Sequence, residues 1–209
     1  MKSKANPFIE FLPAAARSTS PWKNGGGETT EIAIEPPGAT LTDNNFLWRL
    51  SAATIEQAGP FSSFPNYDRL LTLIAGKECV LRINKGEEFA GLRLGEVFPF
   101  SGDAKVQCEL PSGPCQDLGL LFQKKKVDAE MHVFALKNKP RSFALQTKAA
   151  IFFLISGELQ VSVYPGEHIH SLQKHDALRL NIDDQVSEYI ISLEEKQPQT
   201  LVAAIELQW

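Results

Sequence analysis

Apolar and polar side chains alternate along several stretches of the chain. In the stretches 46–53, 79–84, 105–110 and 158–163, every second residue is apolar. Successive side chains of a β-strand point to opposite faces, so this period of two predicts half-buried strands. Gly, Pro, Asn and Asp residues between the stretches predict turns, and no long amphipathic helix is evident. The pattern therefore predicts an all-β fold, either a sandwich or a barrel.

One strand-turn-strand pattern occurs twice. Leu73–Gly76 leads into a strand that contains Cys79, and Leu154–Gly157 leads into a strand that contains Leu159. A loop and an acidic turn follow each strand, and the two copies lie about 80 residues apart. This self-similarity indicates one supersecondary unit used twice, and its order of elements resembles the cupin barrel pattern. Two ordinary hairpins that match by chance are the alternative.

A change of composition separates the two copies. Three lysines, at positions 124–126, and two acidic residues interrupt the apolar pattern there. We therefore predict two cupin-like antiparallel β-barrels, a bicupin, in one compact chain. Residues 1–125 form the N-terminal barrel, which carries the pocket motifs described below, and residues 126–209 form the C-terminal barrel.

Composition and charge narrow the class of protein. The chain has 209 residues, of which 43% are hydrophobic, enough for a substantial core. Its net charge of −4 argues against a nucleic-acid partner. The three cysteines are odd in number and form no Cys-x-x-Cys pair, which favours a reducing compartment over a disulfide framework. No apolar run is long enough to span a bilayer or to form a convincing signal core, so we predict a cytoplasmic protein without a membrane partner.

Three ordered motifs make residues 17–69 the most individual part of the chain. They read PWKNGGGETTEIA at 21–33, WRLSAATI at 48–55 and GPFSSFPNYDR at 59–69. Together they resemble the HutD/Ves family, with its pattern WKNGGGxTxEIA, then WRxSxA, then GPFSxFPxxDR. The resemblance implies a bicupin fold over the whole chain, an association with histidine breakdown, and binding of a small pathway acid such as a formylated glutamate.

Two positions depart from the family pattern. Asn66 stands where the family often has Gly, but Asn also tolerates a left-handed backbone, so the turn can survive. The stretch 117–120, Asp-Leu-Gly-Leu, replaces a more polar Asp-x-Asn stretch. Any contribution of that stretch to a pocket is therefore in doubt.

The side chains of the motifs suggest how an acid is bound. The backbone N–H groups of the glycine triplet after Asn24 can converge on an anion, although a plain turn also explains the triplet. Arg49 and Ser51 lie on the strand face opposite Trp48, where they line a barrel lumen unless Arg49 reaches solvent. Arg69 either pairs with the adjacent Asp68 or grips a carboxylate in a bidentate geometry.

From the motifs and the resemblance we predict nine ligand-binding residues. They are Trp22, Lys23, Asn24, Gly25, Thr29, Glu31, Arg49, Ser51 and Arg69.

Histidines do not follow the usual cupin metal pattern. The first repeat has no His between Phe61 and Gly76. His168 and His170 come after the second hairpin strand, in what we interpret as a loop, whereas a cupin ligand pair precedes that hairpin. We predict no metal and no cofactor; chelation by His168 and His170 is the alternative.

Three functions are consistent with these features. The first is a metal-independent binding protein for a small acidic or acyl amino acid, formylglutamate-like or urocanate-like, that modulates histidine utilisation. The second is a metal-free isomerase or hydrolase with Glu31 as general base and Lys23 or Arg49 as electrostatic stabiliser. The third is a scaffold that uses its barrel edges for oligomer contact. In each case we expect a homodimer, the commonest symmetric oligomer.

Overall fold

Antiparallel β-strands make up nearly all of the regular structure in the computed structural model. The structure describes residues 8–42, 45–84, 88–166, 168–182 and 189–209. Within these residues the structure includes a short 3₁₀ helix, Ala14–Ala16, and no helix is long and apolar enough to cross a membrane. The predicted all-β fold is confirmed. The cytoplasmic location stays a prediction.

The strands are numbered in chain order. They are β1 (Phe8–Leu12), β2 (Thr19–Pro21), β3 (Gly27–Glu35), β4 (Trp48–Ile55), β5 (Gly59–Pro60), β6 (Tyr67–Ala75), β7 (Cys79–Ile83), β8 (Glu88–Leu92), β9 (Val97–Ser101), β10 (Val106–Glu109), β11 (Cys115–Gln123), β12 (Asp128–Ala135), β13 (Arg141–Leu145), β14 (Ala149–Ser156), β15 (Leu159–Tyr164), β16 (His168–Leu172), β17 (Ala177–Asn181), β18 (Tyr189–Glu195) and β19 (Leu201–Gln208).

Backbone contacts divide the described chain into two units. The N-terminal unit is Arg17–Asp128, and the C-terminal unit combines residues 8–16 with Ala129–Trp209. The sequence-based division into 1–125 and 126–209 stays a prediction about domains, and the contacts differ from it at residues 8–16 and 126–128. Strand pairing explains the first difference: β1 runs antiparallel to β17, from Phe8 opposite Asn181 to Leu12 opposite Ala177.

The two units share one strand order. In the N-terminal unit the sheets are β2-β3-β4-β11-β6-β9 and β5-β10-β7-β8. In the C-terminal unit they are β12-β19-β14-β17-β1 and β13-β18-β15-β16. The series β4-β11-β6-β9 therefore corresponds to β12-β19-β14-β17, and the second sheets correspond strand by strand. The predicted repeat is a repeat of topology, not a chance match of hairpins, and the two-barrel fold is confirmed.

Each unit has its own apolar core. The C-terminal core includes Phe152, Leu154 and Val161 and is closed to solvent at these residues. The N-terminal core includes Leu71 and Leu73 and also holds all three cysteines, as free thiols. The N-terminal core covers only part of the inner face of its large sheet, and the remainder of that face borders a cavity.

Candidate ligand-binding cavity

A cavity of about 940 Å³ opens on the inner face of the large sheet of the N-terminal unit. Polar side chains from β3, β4, β6 and β11 and from the turn before β3 contribute to its lining. All the predicted ligand-binding residues except Gly25 line it. These are Trp22, Lys23, Asn24, Thr29, Glu31, Arg49, Ser51 and Arg69. That they bind a ligand stays a prediction.

Strand alternation places the polar side chains of β4 in the cavity. Arg49 and Ser51 face it, whereas Trp48 and Leu50 point the other way and are fully buried. Antiparallel pairing sets Glu31 of β3 opposite Ser51. Two neighbouring strands, β3 and β4, thus present polar positions side by side.

The turn between β2 and β3 depends on its glycines. A Cβ at Gly27 would lie 2.2 Å from the backbone oxygen of Thr54 and 3.2 Å from the ring of Trp22, so only glycine fits. The indole Nε1 of Trp22 donates a hydrogen bond of 2.7 Å to Thr29 Oγ1, which fixes the ring at the cavity wall. Close packing of backbone against indole explains the glycine at this position.

The N–H groups of the triplet are largely used inside the turn. Gly25 donates to the carbonyl of Trp22 at 3.0 Å, and Gly26 donates to Oδ1 of Asn24 at 3.1 Å. These two donors are therefore not turned toward an anion. Of the two interpretations of the triplet, the geometry matches the plain turn.

Arg49 is buried and already neutralised. The residue is 7% exposed, its Nε donates to Glu31 Oε2 at 2.7 Å, and its Nη1 donates to Ser51 Oγ at 3.3 Å. The alternative in which Arg49 reaches bulk solvent is therefore wrong. Because Glu31 balances its charge, Arg49 faces the cavity as one half of an ion pair.

Arg69 lies against three phenyl rings. Its guanidinium carbon is 4.9 Å from the ring centroid of Phe100, 5.2 Å from Phe61 and 5.8 Å from Phe64. Burial lowers the pKa of Arg69 to about 10, Asp117 raises it, and Arg49 lowers it. At neutral pH the guanidinium therefore remains charged, although the residue is partly buried.

The expected pairing of Arg69 with the adjacent Asp68 does not occur. Asp68 forms an ion pair with Lys124 instead, at 3.5 Å. The hydrogen bond of Arg69 runs from Nη1 to the carbonyl oxygen of Ser62, at 3.4 Å. Among the described residues, no carboxylate forms a close ion pair with Arg69. Its charge is therefore available to a ligand, unlike that of Arg49.

Asp117 is a cavity residue that the sequence analysis missed. It lies on β11, is 5% exposed, and faces the cavity together with Gly119. Burial raises the pKa of the Asp117 carboxyl to about 7, whereas the charge of Arg69 and the backbone N–H of Ala53 lower it. A carboxylate within an otherwise apolar strand could have marked this position. The stretch 117–120 thus does contribute to the lining.

The C-terminal unit has apolar residues at the equivalent positions. Both central strand pairs have a register shift at the same place, beside Asp117 in the β11–β6 pair and beside Leu154 in the β14–β19 pair. Alignment on this shift gives the counterparts of three cavity residues. Arg69, Asp117 and Gly119 correspond to Ala150, Val202 and Ala204, which all belong to the C-terminal core.

Histidine placement differs from the sequence-based interpretation. His168 and His170 lie on strand β16 and not in a loop. Burial lowers the pKa of His170, and the neighbouring His168 lowers it further. Within the described ranges, no group of three or more His, Cys, Asp or Glu side chains could hold a metal ion. A metal-free site stays a prediction.

Two antiparallel barrel units of equal strand order, one with a polar cavity, define a bicupin. A family model described as HutD matches residues 14–198. The chain belongs to the HutD family.

Three relatives illustrate the similarity. The chain is 33% identical over 178 residues to an uncharacterized 21.2 kDa protein in the hutC 3′ region of Pseudomonas putida, covering 85% of this chain and 90% of that protein. The structure of HutD from Pseudomonas fluorescens SBW25 matches with a TM-score of 0.78 and 32% identity, covering 96% and 98% of the two chains. A conserved protein of unknown function from Pseudomonas aeruginosa PAO1 matches with a TM-score of 0.86 and 28% identity, covering 96% and 99%.

Proposed function

We propose that the chain binds a small acidic or acyl amino acid in the cavity of its N-terminal unit, through its own side chains and without a metal ion. Membership of the HutD family, and a relative from the hutC 3′ region, support a role in histidine utilisation. Formylglutamate-like and urocanate-like acids are therefore the ligands to test. The homodimer remains a prediction of its own.

One observation carries the proposal. Arg69 holds a full positive charge in the cavity wall, and its guanidinium packs on phenyl rings without a close carboxylate among the described residues. A planar guanidinium suits a carboxylate in a two-point geometry, and removal from water strengthens that contact. An acidic ligand would supply a close counter-charge, whereas Asp117 attracts Arg69 without forming an ion pair with it.

The other cavity residues fit the same ligand class. Glu31 balances Arg49, so the remaining cations of the lining are Arg69 and the exposed Lys23. Arg49 and Ser51 add hydrogen-bonding groups, which suit an amide, formyl or imidazole group of the ligand. The cavity volume of about 940 Å³ lies within the range of small-molecule sites.

Titration calorimetry of the Arg69→Ala protein tests the proposal. We expect the wild type to bind N-formyl-L-glutamate or urocanate, in the presence of a chelator as in its absence. Arg69→Ala should weaken binding about 10- to 100-fold, since it removes a charge-assisted pair of hydrogen bonds. Arg69→Lys should weaken it less, because it keeps the charge and loses the planar fork.

Arg82→Ala is the matched control. Arg82 is an exposed arginine that pairs with Glu109 and does not line the cavity. Its replacement should leave affinity unchanged. Equal affinity of the Arg69→Ala and wild-type proteins for both acids would contradict the proposal.

The metal-free enzyme is the second candidate, and Asp117 is the observation that favours it. A carboxyl whose pKa is about 7 is suited to act as a general base near neutral pH, whereas Glu31, the base expected from the sequence, is held by Arg49. Proton NMR of the acid incubated with the protein distinguishes the two functions. An unchanged spectrum favours binding alone, and turnover that is lost in Asp117→Asn favours the enzyme.

A further inference from the structure

The carboxyl group of Asp117 lies where a ligand could contact it. Gly119, two residues along the same face of β11, puts no side chain beside it: a Cβ placed at Gly119 would lie 3.9 Å from Asp117 Oδ1 and 3.2 Å from Leu71 Cδ1, a flexible side-chain end that can shift. A ligand atom at that position would thus be at contact distance from the Asp117 oxygen. Glycine inside a strand is typical of places where another molecule approaches closely.

Few described groups compensate the charge of Asp117. The carboxylate accepts a hydrogen bond from the backbone N–H of Ala53 and is attracted by Arg69. The other charged groups of the cavity lining are Arg49 on β4, Glu31 on β3 and Lys23 on the turn before β3. In the adjoining core, Asp117 also acts electrostatically on Cys115 of β11 and Cys79 of β7.

The barrel itself does not need a carboxylate at this position. Its counterpart in the C-terminal unit is Val202, which is fully buried in an apolar core. A buried carboxylate whose charge is only partly compensated lowers stability. The presence of Asp117 in the N-terminal unit therefore indicates a role in the cavity.

We propose that Asp117 takes up a proton when an anion binds in the cavity, and that the resulting carboxylic acid donates a hydrogen bond to that anion. The inference rests on the proposed binding of an acidic ligand. The proton comes from solvent, and no covalent bond forms or breaks. Asp117 would then select ligands that carry an acceptor near the carboxylate held by Arg69.

Electrostatics gives the direction of the effect. In the free protein the pKa of Asp117 is about 7, and the charge of Arg69 lowers it. A ligand carboxylate on Arg69 would offset that charge and add repulsion, so the pKa of Asp117 would rise on binding. At a pH between the pKa of Asp117 in the free protein and its higher pKa in the complex, binding takes up about one proton. In that range each unit of increase in pH weakens the affinity up to about tenfold.

Calorimetry in buffers with different ionisation enthalpies tests the inference. The slope of the measured binding enthalpy against the buffer enthalpy counts protons taken up. With N-formyl-L-glutamate as probe at about pH 8, we expect the wild type to take up about 0.5 to 1 proton per ligand. Asp117→Asn, which keeps the shape and cannot titrate, should take up none, and its affinity should not vary with pH.

The Glu109→Gln protein is the control for the removal of a carboxylate. Glu109 is exposed, pairs with Arg82 and lies outside the cavity lining. Its replacement should leave the proton count of the wild type unchanged.

The outcomes separate this inference from the proposed function. Binding with a slope of zero in the wild type overturns the role of Asp117 and leaves the binding function intact. No binding at any pH, with formylglutamate and urocanate alike, contradicts the proposed function and this inference with it. A wild-type slope of zero overturns the inference whether or not Asp117→Asn folds, and a wild-type slope that persists in Asp117→Asn assigns the proton to another group and overturns it as well.

Discussion

At the residue scale, the two arginines of the cavity differ in what surrounds them. Arg49 has a carboxylate partner at 2.7 Å, whereas Arg69 has phenyl rings and a carbonyl oxygen. Both are arginines on polar positions of strands that flank β11, namely β4 and β6, and the sequence could not rank them. The structure ranks them by counter-charge, since a guanidinium with a close partner has less to gain from an anion.

Asp117 should make stability depend on pH. Its pKa is raised from 3.8 to about 7 by burial, so the folded state holds this proton more tightly than the unfolded state. The stabilisation of the folded state by this proton is therefore fully present below about pH 4 and is lost as the pH rises to about 7 and above. Relative to the wild type, Asp117→Asn should gain melting temperature over this window. Thermal unfolding of both proteins at a series of pH values measures the difference between their melting temperatures. A difference that stays constant between about pH 4 and pH 7 would contradict this expectation.

At the element scale, β11 combines an apolar strand with a gap in its cavity face. Successive inward positions are Cys115 in the core, Asp117, Gly119 and then Leu121. Gly119 pairs with Ser51 of β4 on one side and Leu71 of β6 on the other. Gly119 therefore adds no side chain to the cavity wall at this point, and Leu71 Cδ1 borders the position at 3.2 Å from where a Cβ would lie.

Gly119→Ala should weaken ligand binding with little effect on stability. The new methyl would lie 3.2 Å from Leu71 Cδ1, a flexible side-chain atom that can shift, and would fill the space beside Asp117. Alanine is also favoured over glycine inside a strand by about 0.5 to 1 kcal/mol, which offsets the tight contact. Calorimetry gives the affinity and urea unfolding the stability.

Gly59→Ala is the control for Gly119→Ala. No atom lies within 4 Å of a Cβ placed at Gly59, and this glycine does not line the cavity. It should leave affinity unchanged. Wild-type affinity in Gly119→Ala would mean that the ligand does not reach β11.

The sequence predicted the elements that follow a local pattern. Alternation on β4 gave the correct inward face for Arg49 and Ser51, and Asn66 has the left-handed backbone expected for its turn, with φ of 70°. Asp117 was missed because its meaning depends on Arg69, far away in the chain. The ring stack on Arg69 was missed for the same reason, since Phe100 comes from β9. Contacts between distant segments leave no periodic trace in one sequence.

At the scale of the whole molecule, the two units have the same strand order but interiors of different polarity. The C-terminal unit has Ala150, Val202 and Ala204 where the N-terminal unit has Arg69, Asp117 and Gly119. The apolar set is what a barrel core alone requires. The three residues of the N-terminal unit lower its stability and line a cavity, and a loss of stability of this kind is common at functional sites.

Asp117 and Val202 occupy equivalent positions, and replacing each by the other's residue type should change stability in opposite directions. Asp117→Val should raise the free energy of unfolding by about 1 to 2 kcal/mol at about pH 8, because it removes an ionised and buried carboxylate. Val202→Asp should lower it by about 3 to 5 kcal/mol, because its neighbours in the core are apolar. Urea unfolding of the two variants measures both, and a loss of similar size in each would contradict the asymmetry.

The pairing of β1 with β17 has a consequence for synthesis of the chain. Translation runs from the N-terminus, so Phe8–Leu12 leaves the ribosome before Ala177–Asn181 has been made. The strands of the cavity-bearing unit all lie within Arg17–Asp128, so that unit can complete its ladder of backbone bonds first. β1 is thus synthesised before the strands of that unit but pairs only after they can have paired.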